Sequence, residues 1–255
     1  MTSLGVRVAI VTGLLILVDA GSGGSLRAQD SPDWLRVDVV RVVPERLEDY
    51  IELQLDEVTP GLQAAGIPWR SVWRTAEFGN SYELRFVSPI GELADYDIGG
   101  PLARVMEPGP FQRLVDRLRR FTVSRDSYAL QYRSDLSAES DEVGRLFLAR
   151  VTTVDIAPGR GGEWTAFLEE RLQQFREAGL VFGVYQQLFG PSPTGWQIAE
   201  NHASFTELAQ PGILARAFGD QAEAVSAEIA GIVVSVQRTV LRYDSELSYS
   251  SVPSP

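Results

Sequence analysis

The stretch Ala129-Leu-Gln-Tyr-Arg-Ser-Asp-Leu-Ser137 recurs near the end of the chain as Val240-Leu-Arg-Tyr-Asp-Ser-Glu-Leu-Ser248. Leucine, tyrosine and serine recur in register, and Asp135 of the first stretch corresponds to Glu246 of the second. A period of roughly 111–115 residues then aligns much of the remaining sequence. We interpret the pattern as an internal duplication of a small domain, in which this stretch is the closing strand of each copy.

The duplication predicts two units, at residues 34–137 and 145–249, with a linker at 138–144 and a disordered tail at 250–255. Each unit opens with a β-branched strand that is closed by proline. An amphipathic helix follows and ends at Gly66 or Gly179. A hairpin, a second helical region and the repeated strand come next. The order β-α-β-β-α-β is that of a ferredoxin-like unit.

The turn Ala157-Pro-Gly-Arg-Gly-Gly-Glu-Trp164 resembles one found in NIPSNAP-like and antibiotic-biosynthesis-monooxygenase-like domains of the dimeric α+β barrel superfamily. The first copy departs from it at Pro44-Glu-Arg-Leu47, which has no glycine. The resemblance implies two four-stranded sheets packed face to face, usually contributed by two chains. We therefore predict an α+β fold with two ferredoxin-like βαββαβ repeats in one chain, forming a fused dimeric α+β barrel. Such a chain is expected to be a monomer or a higher homo-oligomer.

The composition excludes several classes of site. The chain has no cysteine, so disulfides, thiolate metal sites and a cysteine nucleophile are excluded. All 23 basic residues are arginine, which excludes a Schiff-base lysine and a P-loop lysine. The net charge of −11 argues against binding to nucleic acid or to anionic membranes.

Residues 1–28 resemble a secretory signal peptide. Val8 to Val18 is a mostly apolar run without charge, too short for a membrane span. We expect cleavage after Ala28 and export to the periplasm or the extracellular space. The alternative is a cytoplasmic protein with an apolar N-terminal tail.

His202, the only histidine, is the first candidate catalytic residue, and Glu200 on the same strand face is the second. A histidine beside a carboxylate can act as a general base, and the resemblance also implies a haem axial ligand. The other interpretation is a hydrogen-bonded histidine at a strand end. A metal site with several histidines is excluded. Aligning the copies makes Val87 the counterpart of His202 and Arg85 that of Glu200.

Arg85, Glu83, Tyr185 and Trp196 are the candidate ligand-binding residues. Glu83 and Arg85 share one face of their strand, and we expect that face to look toward the second sheet. A charge buried there needs a partner, so the pair is either a polar lining of the barrel or an ion pair at its rim.

Three functions remain open. The first is an exported protein that binds a small apolar or aromatic ligand in the barrel lumen. The second is a monooxygenase-like enzyme, either cofactor-free or haem-dependent through His202. The third is an interaction role with the acidic helices facing a partner. The resemblance carries most of this ranking.

Overall fold

The computed structural model describes residues 34–139 and 147–251. The predicted signal peptide, most of the predicted linker and the end of the predicted tail lie outside these residues. In the described part, no helix is both long enough and apolar enough to cross a bilayer.

The described chain contains nine strands, and proline or glycine stands beside several of their ends, as the sequence predicts. Their bounds are β1 Trp34–Val42, β2 Trp69–Thr75, β3 Glu83–Pro89, β4 Thr122–Tyr132, β5 Leu148–Ile156, β6 Gly183–Phe189, β7 Gly195–His202, β8 Val233–Tyr243 and β9 Tyr249–Ser250. Apart from β9, these strands are 7 to 11 residues long.

Helices alternate with the strands in both halves. Their bounds are α1 Leu47–Leu53, α2 Thr59–Ala64, α3 Pro101–Val105, α4 Pro108–Phe121, α5 Gly161–Glu177, α6 Phe205–Leu208, α7 Ile213–Phe218 and α8 Ala222–Ile229. A π-helical segment joins α1 to α2. Gly66 (φ 78°) and Gly179 (φ 67°) follow the two long first helices in the left-handed conformation, as predicted.

Eight strands close into an antiparallel barrel. Their order is β3-β1-β4-β6-β7-β5-β8-β2, and β2 pairs with β3 to complete the circle. The first half contributes four neighbouring strands and the second half the other four, with seams between β4 and β6 and between β8 and β2. Closure matters because it leaves none of these eight strands with an open edge.

The interior of the barrel is filled. Strand side chains alternate between the interior and the helices. Those inside come from both halves and include Leu35, Trp73, Val151, Tyr185 and Leu241. The free space left among them is about 20 Å³, which is enough for one water molecule. The prediction of a small ligand in the barrel lumen is therefore wrong.

The helices cover the outside of the sheet and form separate cores with it. In the first half, Tyr50, Val72 and Phe86 are buried between helix and sheet. In the second half, the equivalent core combines aliphatic and aromatic side chains, with Phe175 and Phe182 in edge contact at 5.4 Å. Space for a ligand therefore lies outside the barrel, between the sheet and the helices.

The repeated stretch is only partly a strand. Strand β4 ends at Tyr132, and a 3-10 turn follows at Ser134–Leu136, so the predicted strand as far as Ser137 is wrong. The turn crosses the seam between the halves. Leu136 is buried in the core of the second half, and Leu247 is buried in that of the first. The recurring leucine therefore joins the two halves.

Strand pairing corrects the alignment of the copies. Arg36 pairs with Ser88 in the first half as Arg150 pairs with Glu200 in the second. Ser88, and not Arg85, is therefore the counterpart of Glu200. The two alignments differ by three residues, and a shift by an odd number of residues moves a side chain to the other face of its strand. Glu200 and Arg85 consequently lie on opposite sides of the sheet.

Candidate functional site

Three of the predicted ligand-binding residues belong to the barrel interior or its rim. Arg85 lines the interior, and its Nη2 lies 3.3 Å from Oε1 of Glu83, so the two form an ion pair. Tyr185 lines the same interior, and its buried hydroxyl has no hydrogen-bond partner among the described residues. Burial raises the pKa of Tyr185 well above its usual value. This tyrosine therefore stays protonated.

Trp196, Glu200 and His202 lie on the other, helix-facing side of strand β7. The ring of Trp196 packs in this outer core at 6.5 Å from the ring of Trp164. The structure thus divides the predicted site into two groups that the sheet separates. Only the group outside the barrel adjoins a cavity of useful size.

Glu200 is the centre of a buried ion-pair cluster. Arg150 donates from Nε and Nη2 to the two carboxylate oxygens, at 2.8 Å each. Arg216 donates from Nη2 to Oε1 at 2.5 Å. The side chain of Glu200 is 5% exposed and that of Arg150 is 12% exposed. Because two arginines occupy the carboxylate, Glu200 forms a structural ion pair and is not free to act as a general base.

His202 is buried beside this cluster. Neither ring nitrogen has a hydrogen-bond partner among the described residues, and Nδ1 lies 4.0 Å from Oε1 of Glu207. Burial lowers the pKa of His202 and outweighs the opposing effect of Glu200. The strand register makes Ile90, and not Val87, its counterpart in the first half. The position is thus apolar in one copy and a neutral imidazole in the other.

A cavity of about 580 Å³ lies between the outer face of the second-half sheet and helices α5, α7 and α8, and we call it the second-half cavity. This volume is within the range of about 300–1,000 Å³ that is typical of small-molecule sites. Arg150 and Glu200 form a polar end. Most of the wall is apolar and includes Val154, Trp164, Phe167, Phe175, Ile198 and Leu214.

Trp164 gives this apolar wall an unused donor. Its side chain is buried, and Nε1 has no acceptor among the described residues. The ring is held by stacking on Phe167 at 5.9 Å and by an edge contact with Trp196. Leaving a buried N–H without a partner costs about 1–3 kcal/mol. A ligand whose hydrogen-bond acceptor reached Nε1 would remove that cost.

Haem ligation through His202 can be tested on this geometry. An axial ligand must present a ring nitrogen to the iron. His202 is buried and does not belong to the wall of the second-half cavity, and its Nδ1 lies 4.0 Å from Oε1 of Glu207. The geometry does not fit axial ligation. Within the described residues, no group of three or more histidine, cysteine, aspartate or glutamate side chains could hold a metal ion.

No protein-family model matches this chain, and no curated protein matches it in sequence. Solved structures match it in fold. An anthrone oxidase-like protein matches with a TM-score of 0.56 and 14% identity, over 89% of this chain and 97% of that chain. A proposed monooxygenase of Lactobacillus acidophilus NCFM matches with a TM-score of 0.54 and 10% identity, over 86% and 96%.

A chlorite dismutase variant of Candidatus Nitrospira defluvii matches with a TM-score of 0.52 and 8% identity, over 85% of this chain and 94% of that chain. All three neighbours belong to the dimeric α+β barrel superfamily. The chain has the dimeric α+β barrel fold. Identities this low show the shared fold and leave the activity to be argued from the site.

Sequence reasoning missed three residues of this barrel's outer site. Arg150 is a charged residue within a β-branched strand, a pattern that calls for a partner where the strand is buried. Arg216 lies on the short helix α7, and only the tertiary fold brings it to Glu200. Trp164 ends the turn motif that carries the family resemblance, but its unpartnered Nε1 depends on its neighbours in space.

Proposed function

We propose that this protein binds a small, uncharged and largely aromatic molecule in the second-half cavity. The observation that carries the proposal is the unpartnered Nε1 of Trp164 in the wall of an apolar cavity of about 580 Å³. The charged residues of the cavity wall are two arginines and two glutamates, Arg150, Arg238, Glu200 and Glu223, so the wall has no net charge for an ionic ligand. The ligand expected is one with an apolar body and one hydrogen-bond acceptor.

The test compares two ligands of nearly equal size by isothermal titration calorimetry. 1-Tetralone has a carbonyl acceptor, and tetralin lacks it. We expect the protein to bind 1-tetralone about threefold to tenfold more tightly, the ratio that one neutral hydrogen bond supplies. Trp164→Phe should remove the preference for the ketone. Equal affinity of the wild-type protein for both compounds would contradict the role of Nε1.

A blocking variant tests the location. A side chain at Gly212, which belongs to the cavity wall, meets nothing within 4 Å of its first carbon. Gly212→Phe should therefore fold and should weaken the binding of both compounds. Gly91 is equally open and does not belong to this wall, so Gly91→Phe is the matched control. Loss of binding in both variants would argue against this site.

The alternative function is oxidation of the bound molecule, either without a cofactor or with haem. Its support is the fold shared with an anthrone oxidase-like protein and a proposed monooxygenase. The haem form depends on His202. On titration with haemin, the wild-type protein and His202→Ala should give the same Soret spectrum, because the imidazole is buried away from the cavity. A Soret band that depends on His202 would favour the haem enzyme.

We also propose that the chain is an exported product of tandem duplication. The equal strand orders β2-β3-β1-β4 and β6-β7-β5-β8, which follow the ferredoxin-like pattern, support two ferredoxin-like repeats. The apolar run at residues 8–18 supports export. Membership of the NIPSNAP-like or monooxygenase-like group stays a prediction, as does the fused monomer. Mass spectrometry of secreted protein would test the cleavage expected after Ala28.

A further inference from the structure

The first half has a cavity of its own, of about 450 Å³, between the outer face of its sheet and its helices, and we call it the first-half cavity. It differs from the second-half cavity in charge. Four arginines and one carboxylate contribute to its wall, although the whole chain carries a net charge of −11. The arginines are Arg36, Arg70, Arg119 and Arg125. A cationic cavity in an acidic protein indicates an anionic ligand.

The single carboxylate of this wall, Asp38, is already engaged. Arg36 donates to it from Nε at 2.9 Å and from Nη2 at 3.1 Å, and Arg125 donates from Nη2 at 3.0 Å. Burial alone would raise the pKa of Asp38, but its arginine partners and Ser127 lower it. Asp38 is therefore hydrogen-bonded to Arg36 and Arg125, and it acts on Arg70 only through space, without an ion pair.

Arg70 is a buried cation without a counter-ion. Its side chain projects from β2, and the residue as a whole is 7% exposed. Nη2 donates to Oε1 of Gln54 at 2.8 Å, and the guanidinium lies over the ring of Phe86 at 4.1 Å. Nη1 has no partner, and no carboxylate of the described chain forms an ion pair with it. A buried charge without a counter-ion destabilises the folded protein.

We propose that the first-half cavity binds a small organic carboxylate, with the carboxylate on Nη1 of Arg70 and the apolar body among the helices. Arginine keeps its charge and matches carboxylates better than other cations do. Val58, Leu62 and Leu118 supply the apolar part of the wall. The ligand class is thus an aromatic or aliphatic monocarboxylic acid, distinct from the neutral molecule proposed for the second-half cavity.

The probe is 2-naphthoate, and its neutral control is 2-naphthamide, which has nearly the same shape. By calorimetry, the wild-type protein should bind the acid at least about tenfold more tightly than the amide, since hydrogen bonds between two charged groups are stronger than those to a neutral amide. Arg70→Met should abolish this preference. Arg113→Met is the matched control, because it removes the same charge from an exposed position of α4 outside the cavity wall. A preference that survives Arg70→Met would overturn the proposal.

A second variant keeps Arg70 in place. Val115 is half-buried in the cavity wall, and Val115→Trp should fill the cavity and weaken 2-naphthoate binding at least about tenfold. Unchanged binding in that variant would also overturn the proposal, as would equal competition from inorganic phosphate. Gly212→Phe should leave 2-naphthoate binding unchanged, which keeps this test independent of the neutral ligand proposed for the second half. A loss there would mean that the acid binds in the second-half cavity.

Discussion

Ser137 and Ser248 make the same two hydrogen bonds on opposite seams of the barrel. The hydroxyl of Ser137 donates to the carbonyl oxygen of Arg133 at 2.7 Å and accepts from the backbone N–H of Val184 at 2.9 Å. The hydroxyl of Ser248 donates to the carbonyl of its own turn and accepts from the N–H of Val72 at 2.8 Å. Each serine thus fixes a turn of one half to the second strand of the other.

Replacing these serines should destabilise the barrel. Ser137→Ala leaves the buried N–H of Val184 without its acceptor, at a cost of about 1–3 kcal/mol. Ser248→Ala should have a similar effect through Val72, and the double variant should show the sum if the seams act independently. Urea unfolding measures the loss. The matched controls are Ser134→Ala and Ser245→Ala, because those serines belong to the same motif but are exposed. Equal losses in all four variants would contradict the role of the hydrogen bonds.

Glu200 should be the most sensitive charged residue of the outer site. Glu200→Ala leaves Arg150 and Arg216 without their shared partner, and breaking a buried pair costs about 3–5 kcal/mol. Glu200→Gln should cost less, because the amide oxygen can still accept one hydrogen bond. Thermal and urea unfolding measure both variants. Glu163→Ala is the control and should change stability little, because Glu163 pairs with Arg160 in solvent. A small effect for Glu200→Ala would show that the cluster is dispensable.

Local sequence rules predicted the elements of this fold well. The helix ends before Gly66 and Gly179 follow from the tolerance of glycine for positive φ. The duplicated pattern also predicted that both halves of a barrel lie in one chain. The helix ends are predictable because they depend on neighbours within a few residues, whereas the two halves are predictable because a similar pattern recurs along the chain.

Features that depend on partners distant in sequence were not predicted. The face of Glu200 depends on the register of β5 against β7, and the sequence similarity of the two copies alone predicts the wrong side of the sheet. The filled lumen depends on the volumes of side chains from both halves. Arg70 stands in an alternating strand like any edge charge, and only its position near Gln54 and Phe86 shows that it is buried without a counter-ion.

The stability of the protein should fall in mild acid because of His202. Burial holds its pKa below the usual value, so the unfolded chain binds a proton at a higher pH than the folded one does. The contribution of His202 to the free energy of unfolding is fully present above about pH 6.5, and it is lost as the pH falls through the pKa of the folded protein. Urea unfolding between pH 8 and pH 5 should therefore show a decline that His202→Gln reduces. A wild-type protein that gains stability over this range would contradict the lowered pKa.

A fragment of residues 34–139 should form a dimer. It keeps β1 to β4, but it loses the strands that cover Leu35, Trp73 and the rest of the interior face. A second copy can supply them, because the crossing turn with Leu136 is equivalent to the turn with Leu247 that normally packs on the first half. Light scattering coupled to size-exclusion chromatography gives the mass. Leu136→Asp should weaken the dimer by placing a charge in the partner's core. A folded, monomeric fragment would mean that one half is stable without a covering sheet, which its exposed apolar face makes unfavourable.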